Sequence, residues 1–400
     1  MLISIAVILF SGLFLGWVCK KIRFPALFGM IVAGIIAGPH VLNLLDSSIL
    51  DISADIRRIA LIIILIRAGL KLNLNDLKKV GRPAVMMCFV PATFEIIGTV
   101  LLAPKLLGFP VLDAAILGAV IAAVSPAVVV PRMIRLIDEG YGTDKGIPQM
   151  ILAGASVDDV FVIVMFTTFT GLAKGKSISW MSFVNIPVSI VIGVTVGALA
   201  GLVCVLFFRK FQISVTVQVI LVFAVSFVMN WFESAVSIVP FAGLIAIMAA
   251  GTEIRRKDLD MAAELSAVFD RLWVAAEIFL FVLVGASVEI GSLKTAGFSA
   301  VMLIFGVLLF RMLGVFFCTA GTKLSPGERL FCMMAYLPKA TVQAAIGGLP
   351  LAMGLDCGAA VLTMSVIAIL ITAPLGAFAI DLSYRRLLKK PDDRRRLGQA

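Results

Sequence analysis

Asp158 and Asp159 stand side by side in a stretch, Met150 to Ala173, that holds no other charge. Carboxylates at membrane depth are costly, and they usually face a bundle interior or a water-filled path. No basic residue accompanies this pair in sequence, so its countercharge is expected to come and go as a cation or as protons. On a helix of 3.6 residues per turn the two side chains point about 100° apart. Both can therefore border one cavity, where a carboxyl can hold a proton or a hard monovalent cation in turn, since such cations prefer oxygen ligands. The Ser125 hydroxyl, and carbonyls freed where Pro126 interrupts a helix, are candidates to complete the shell. A helix cap or a structural salt bridge is the plainer reading, but two acids in mid-span disfavour a cap.

Four further residues bear on this chemistry. Lys339 follows Pro338 near the middle of an apolar run, where snorkelling to the interface is hard. It is expected either to neutralise negative half-helix ends or to pair with one of the aspartates. Glu95 and Arg311 are lone opposite charges in separate apolar runs, and a buried pair is far less costly than two isolated charges. They are expected as partners that hold helices together. Arg67 and Arg271 are expected to snorkel, Glu277 to find a partner near its own helix, and His40 to be interfacial.

The elements that position these residues are helices in lipid. Hydrophobic residues make up 61% of the chain and charged residues 14%, and mean hydropathy is +1.11, against an apolar share of roughly 45–50% in soluble domains. This is an all-α polytopic membrane protein. The net charge of +10 reads as loops facing the cytoplasm rather than as a nucleic-acid surface. Six cysteines form no Cys-x-x-Cys pair, so neither a disulfide framework nor a zinc site is indicated. A single histidine excludes a histidine metal cluster, and no nucleophile–base set or nucleotide loop is present. The composition therefore implies no enzyme and no resident cofactor, only transported ions.

A span needs about 20 apolar residues. On that rule thirteen fall near 2–19, 25–43, 58–72, 83–103, 113–136, 149–173, 181–208, 214–232, 238–251, 267–290, 297–320, 328–349 and 359–382. The first lacks the positive leading region of a secretory signal and is expected as a span. Connections after odd-numbered spans, with the tail, carry 24 Lys and Arg; those after even-numbered spans carry 6. This bias sets the N-terminus outside and the C-terminus in the cytoplasm. Residues 385–400 read as a basic cytoplasmic tail.

Secondary transporters often contain two halves of opposite topology, each with a broken helix near the midplane. Here the fifth span carries Ser125-Pro126 and the twelfth Leu337-Pro338-Lys339, and the helix before each break holds the lone charge, Glu95 or Arg311. The two units have opposite parity in the span count, as an inverted repeat requires. Proline breaks survive in lipid only inside protein or beside a cavity.

Ser156-Val157-Asp158-Asp159 resembles the paired-aspartate motif of sodium/proton antiporters in the monovalent cation:proton antiporter superfamily. Arg67–Leu70, Val124–Pro131 and Leu337–Gly347 narrow the likeness to the NHA-type branch. The resemblance implies a homodimer in the cytoplasmic membrane, with core repeats at 58–173 and 297–382 inside a transporter unit of residues 1–384. It implies mainly dimerisation and linker helices at 1–43 and 181–290. It implies exchange of Na+ or Li+ for one or two protons by alternating access. Asp159 matches the obligatory ion-binding acid, Asp158 its neighbour, and Glu95 with Arg311 the buried ion pair. Electrogenic members have a lysine where Arg311 stands, bonded to the first aspartate. If Glu95 holds Arg311, Asp158 is expected to lack that partner. K+/H+ exchange on the same fold, and sodium-coupled symport of an organic anion, are the alternatives; sparse polar content disfavours the second.

Overall fold

The computed structural model describes residues 1–22, 24–72, 81–174, 180–235, 241–288 and 290–390. Among these residues there is no strand. The first half runs α1 (Leu2–Lys21), α2 (Ala26–Ala37), α3 (Ser47–Asp51), α4 (Ser53–Lys71), α5 (Arg82–Met87), α6 (Val90–Leu107), α7 (Val111–Ile121), α8 (Pro126–Glu139) and α9 (Ile147–Ala173). Then follow α10 (Trp180–Phe211), α11 (Val215–Ala235), α12 (Gly243–Lys257), α13 (Leu259–Ala286) and α14 (Ile290–Thr319). The last are α15 (Pro326–Ala335), α16 (Thr341–Ile346), α17 (Leu349–Ala352) and α18 (Gly358–Leu387). Eight helical stretches among the described residues are long and apolar enough to cross a membrane. The expected all-helical membrane architecture is the observed one.

Both expected breaks are real. α7 stops at Ile121, four residues cross in non-helical backbone, and α8 begins with proline at its first position. Proline suits that position because its missing N–H would have no helical partner. It also drives the preceding residue toward extended backbone, and Ser125 has φ −86° and ψ 110°. In the twelfth span α15 ends at Ala335 and α16 starts at Thr341, with Pro338 between them. α15 is started by a capping box in which the Ser325 hydroxyl accepts from the Glu328 N–H while the Glu328 carboxylate accepts from the Ser325 N–H.

Two compact units are distinguished. One comprises Met1–Ala54, Leu74–Ala173 and Phe281–Ala400. In it α6 packs along α14, and α7, α9, α15, α16 and α18 gather around the two breaks. Gly376 on α18 lets Pro338 approach so closely that an added Cβ would lie 2.3 Å from the ring. Gly285 does the same for the Ile31 carbonyl at 2.2 Å. Phe10, Phe14 and Trp17 of α1 lie exposed, as a lipid solvent allows.

The other unit comprises Asp55–Asn73 and Lys174–Leu280. Its main seam joins α10 to α12. Here two boundaries differ from expectation. The ninth helix, expected over 238–251, runs from Gly243 to Lys257, and its last turn carries an Arg256–Glu253 pair at 2.6 Å. Residues 236–240 lie outside the described residues. The tenth, expected from 267, begins at Leu259 because Asp258 caps it, accepting the Met261 N–H at 3.0 Å. Arg67, expected to snorkel, instead donates to Asp270 at 2.7 Å and lies over the Trp273 ring.

Candidate functional site

The two breaks touch. The Ser125 N–H, just ahead of Pro126, donates to the Pro338 carbonyl at 2.8 Å. Each interruption leaves carbonyls and N–H groups without helical partners, and buried groups of this kind are nearly always satisfied somewhere. Here the partners come from the other break, from α9 and from α18. The Val124 N–H donates to Asp158 Oδ2 at 2.8 Å. The Gln343 amide donates to the Ala123 carbonyl at 2.8 Å and more weakly to that of Ile121 at 3.4 Å. The Lys339 N–H donates to the Thr372 hydroxyl at 3.0 Å.

Arg311 joins all of this. It is completely buried, and its planar fork of donors is spread over four acceptors. Nε donates to the Tyr336 carbonyl at 2.6 Å, beside the second break. Nη1 donates to Glu95 Oε2 at 2.8 Å and to the Ala122 carbonyl beside the first break. Nη2 donates to Asp158 Oδ2 at 3.0 Å. One guanidinium thus ties the C-terminal ends of both leading half-helices to two carboxylates. The negative ends of helix dipoles favour a cation at this place.

The expected partnership of Glu95 and Arg311 is present, and α6 and α14 bring it about by packing along each other. Two other expectations are corrected. Asp158 does not lack a basic partner: Arg311 reaches Glu95 and Asp158 together, because its two Nη atoms diverge. Lys339 neither neutralises the half-helix ends nor bonds an aspartate. Its ammonium sits on Glu95, 2.6 Å from Oε1 and 2.8 Å from Oε2, and Arg311 takes both roles expected of it. Glu95 is therefore shared between two cations.

Among the described residues, the side chain of Asp159, 6% exposed, finds no hydrogen-bond or ion-pair partner. Asp158 Oδ1 and the Ser125 hydroxyl are likewise buried without a hydrogen-bond partner among the described residues. Unpartnered buried oxygens are uncommon in native proteins and ask for an explanation. All three are hard oxygen donors of the kind a small monovalent cation prefers, and the Val124 N–H bond brings Asp158 next to Ser125 in the chain. Among the described residues no group of three or more His, Cys, Asp or Glu could hold a metal ion, and all six cysteines are free.

Sequence reasoning missed two members of this crossing. Gln343 lay inside a recognised stretch but had no charge or break to single it out. Thr372 is one hydroxyl in an apolar helix, a residue type that usually bonds its own preceding turn.

Two crossed half-helices around buried ion pairs define a secondary-transporter architecture. The fold matches that of the sodium proton antiporter MjNhaP1 from Methanocaldococcus jannaschii with a TM-score of 0.84, at 20% identity, over 96% of this chain and 97% of that one. The family model "Sodium/hydrogen exchanger, transmembrane" matches residues 5–381. Sodium/hydrogen exchanger 9B2 of Homo sapiens is 36% identical over 379 residues, covering 92% of this chain and 70% of that protein. Sodium/hydrogen exchanger 9B1 of Homo sapiens is 31% identical over 425 residues, covering 98% and 79%. The chain belongs to the sodium/hydrogen exchanger family.

Proposed function

We propose that this chain exchanges Na+ or Li+ for H+ across the cytoplasmic membrane by alternating access, with cation and proton competing for the Asp158–Asp159 pair. The observation that carries this reading is the charge balance of the crossing. Three carboxylates, Glu95, Asp158 and Asp159, face two cations, Arg311 and Lys339, and both cations are engaged by Glu95 and Asp158. Asp159 is the acid left over. With either a proton or Na+ on it, the cluster has no net charge. With neither, it keeps one uncompensated negative charge away from water, a costly state to carry across the bilayer. A carrier that moves only when neutral exchanges one Na+ for one H+. The names borne by its relatives agree with the choice of ions.

The rest of the reading follows the family. Every side chain of the crossing lies within 58–173 or 297–382, which we take as the transporting repeats. The helices within 1–43 and 181–290 are assigned to dimerisation and linkage. The chain works as a homodimer with its N-terminus outside and its basic tail in the cytoplasm.

The test is purified protein in vesicles with an internal pH dye and imposed Na+ jumps. Na+ and Li+ are expected to drive proton movement with no net current. Asp159→Asn is expected to abolish it while leaving the protein folded and assembled. Undiminished exchange by that variant would sink the reading. A response to K+ in place of Na+ would redirect it to potassium exchange, and Na+ uptake that needs an organic anion and moves no protons would redirect it to symport.

A further inference from the structure

We propose that Gln343 is a positioning residue for the exchange, acting on Asp158 through the peptide group between Ala123 and Val124. The inference rests on the exchange reading and extends it to a residue that touches neither aspartate. The carbonyl of this peptide accepts from Gln343 Nε2 at 2.8 Å, and its N–H donates to Asp158 Oδ2 at 2.8 Å. In a trans peptide these two groups point in opposite directions. Gln343 and Asp158 therefore grip one peptide from its two sides, in an unbroken chain of hydrogen bonds from amide to carboxylate. Such chains polarise their members, so a donor on the carbonyl strengthens the N–H at the other end.

Several observations set this apart from ordinary filling of a core. The peptide lies in the non-helical crossing between α7 and α8, where no helical hydrogen bond fixes its orientation. Gln343 is completely buried, and its amide orientation is dictated: an oxygen facing the Ala123 and Ile121 carbonyls would set acceptor against acceptor. Its own Oε1 is buried without a hydrogen-bond partner among the described residues, a penalty that an apolar residue of the same size would avoid. What the glutamine supplies in return is the donor on Ala123. Gln343 belongs to the second repeat and Val124 to the first, so the state of Asp158 is tied to how the two broken helices cross.

Asp158 is faced by Asp159 on its own helix, by Arg311 and Cys318 of α14, by Cys88 beside α5, and by Tyr336 and Lys339 of the second break. Of its two hydrogen-bond donors, Arg311 is fixed at four points and the Val124 N–H is the one Gln343 governs. Loosening that N–H leaves Asp158 Oδ2 held by Arg311 alone, so the carboxylate is no longer fixed in its place for the cation.

The experiment compares wild type with Gln343→Met, which keeps the volume and removes the donor, in vesicles over a range of Na+ concentrations at one fixed pH. Gln343→Asn, which keeps a shortened donor, is the second variant. Gly197→Ala in α10 serves as a destabilised control remote from both aspartates in sequence. In Gln343→Met the KM for Na+ is expected to rise about three- to tenfold with the maximal rate kept, the equivalent of one net hydrogen bond. Gln343→Asn should raise it less. Gly197→Ala should leave the KM unchanged whatever its maximal rate. A folded Gln343→Met protein with the wild-type KM overturns the proposal. So does failure of both Gln343 variants to fold, which would make the residue a structural clamp. Absence of Na+-driven proton movement in the wild type would instead remove the exchange reading itself.

Discussion

The crossing of the two breaks and the seam between α10 and α12 solve the same packing problem in opposite ways. At the crossing, backbone that no helix satisfies is held by charged and amide side chains from three directions. At the seam, helical backbones approach so closely that nothing but glycine fits. Gly193, Gly197 and Gly201 stack at intervals of four residues against Ala242, Ala246 and Ala250, and a Cβ added at Gly197 would lie 2.1 Å from the Ala246 carbonyl. Without a hydrophobic driving force between helices in lipid, close packing of small residues is a general way to join them. The seam shows that this family member can bind helices tightly without charge. Charges at the crossing are thus not needed for adhesion alone, and the proposed exchange gives them a use.

That contrast can be broken most severely at Arg311. Arg311→Met removes a donor from four acceptors and leaves Glu95 and Asp158 with Lys339 as the remaining cation of the crossing. Removing one partner of a buried pair costs about 3–5 kcal/mol, so a large fall in the melting temperature of the purified protein is expected. The double variant Arg311→Met/Glu95→Gln restores the original charge balance and should recover part of that loss, read as a coupling energy in a double-mutant cycle. Equal melting of the single and double variants would show that geometry, not charge, dominates the crossing. Gly197→Ala tests the other region. Forcing a methyl group into a filled seam costs about 1–3 kcal/mol, and thermal stability should fall while exchange per folded molecule is kept. A selective loss of exchange with unchanged stability would erase the distinction drawn between the two regions.

How much of this was legible in the sequence follows the same divide. Charges in apolar runs are conspicuous, so Asp158, Asp159, Glu95, Arg311 and Lys339 stood out, and Pro126 and Pro338 marked the breaks. The pairing pattern among them did not. Arg311 and Lys339 compete for the same carboxylates, and the outcome depends on which side-chain fork spans two half-helix ends at once, a matter of angles that spacing does not encode. Gln343 and Thr372 stayed hidden because an uncharged polar residue in an apolar helix most often bonds its own turn, as Thr363 and Ser365 do here. The glycine ladder at 193, 197 and 201 was not singled out, because its meaning depends on a partner helix that spacing along one chain does not name. The late start expected for the tenth helix erred for a different reason: Asp260 and Glu264 diluted the apolar signal, while Asp258, which starts that helix, is a capping residue that hydropathy ignores.

Asp258 gives the smallest test, and it lies in the connection between two helices rather than within one. Its carboxylate accepts the Met261 N–H at 3.0 Å and the Arg209 guanidinium at 2.7 Å. These bonds, the Met261 N–H first, hold the carboxyl below its ordinary range. A group lowered in this way contributes stability that is complete above the unfolded value of about 3.9 and is lost as pH falls through the lower folded value. At neutral pH Asp258→Ala should cost about 1 kcal/mol, the usual worth of an N-cap. Asp258→Asn keeps the cap and gives up the ion pair with Arg209, which is largely exposed, so it should cost only a few tenths of a kcal/mol. Melting curves of the wild type and both variants from pH 7 to pH 3 check the sign: the gap between wild type and Asp258→Ala should stay level down to about pH 4 and narrow below it. A gap that widened with acid would mean that the cap works through the neutral carboxyl. Exchange should be unaffected by either variant at any pH. A change in transport would show that a connection distant in sequence from the aspartate pair is coupled to it, and the separation between packing regions and ion-handling regions would have to be redrawn.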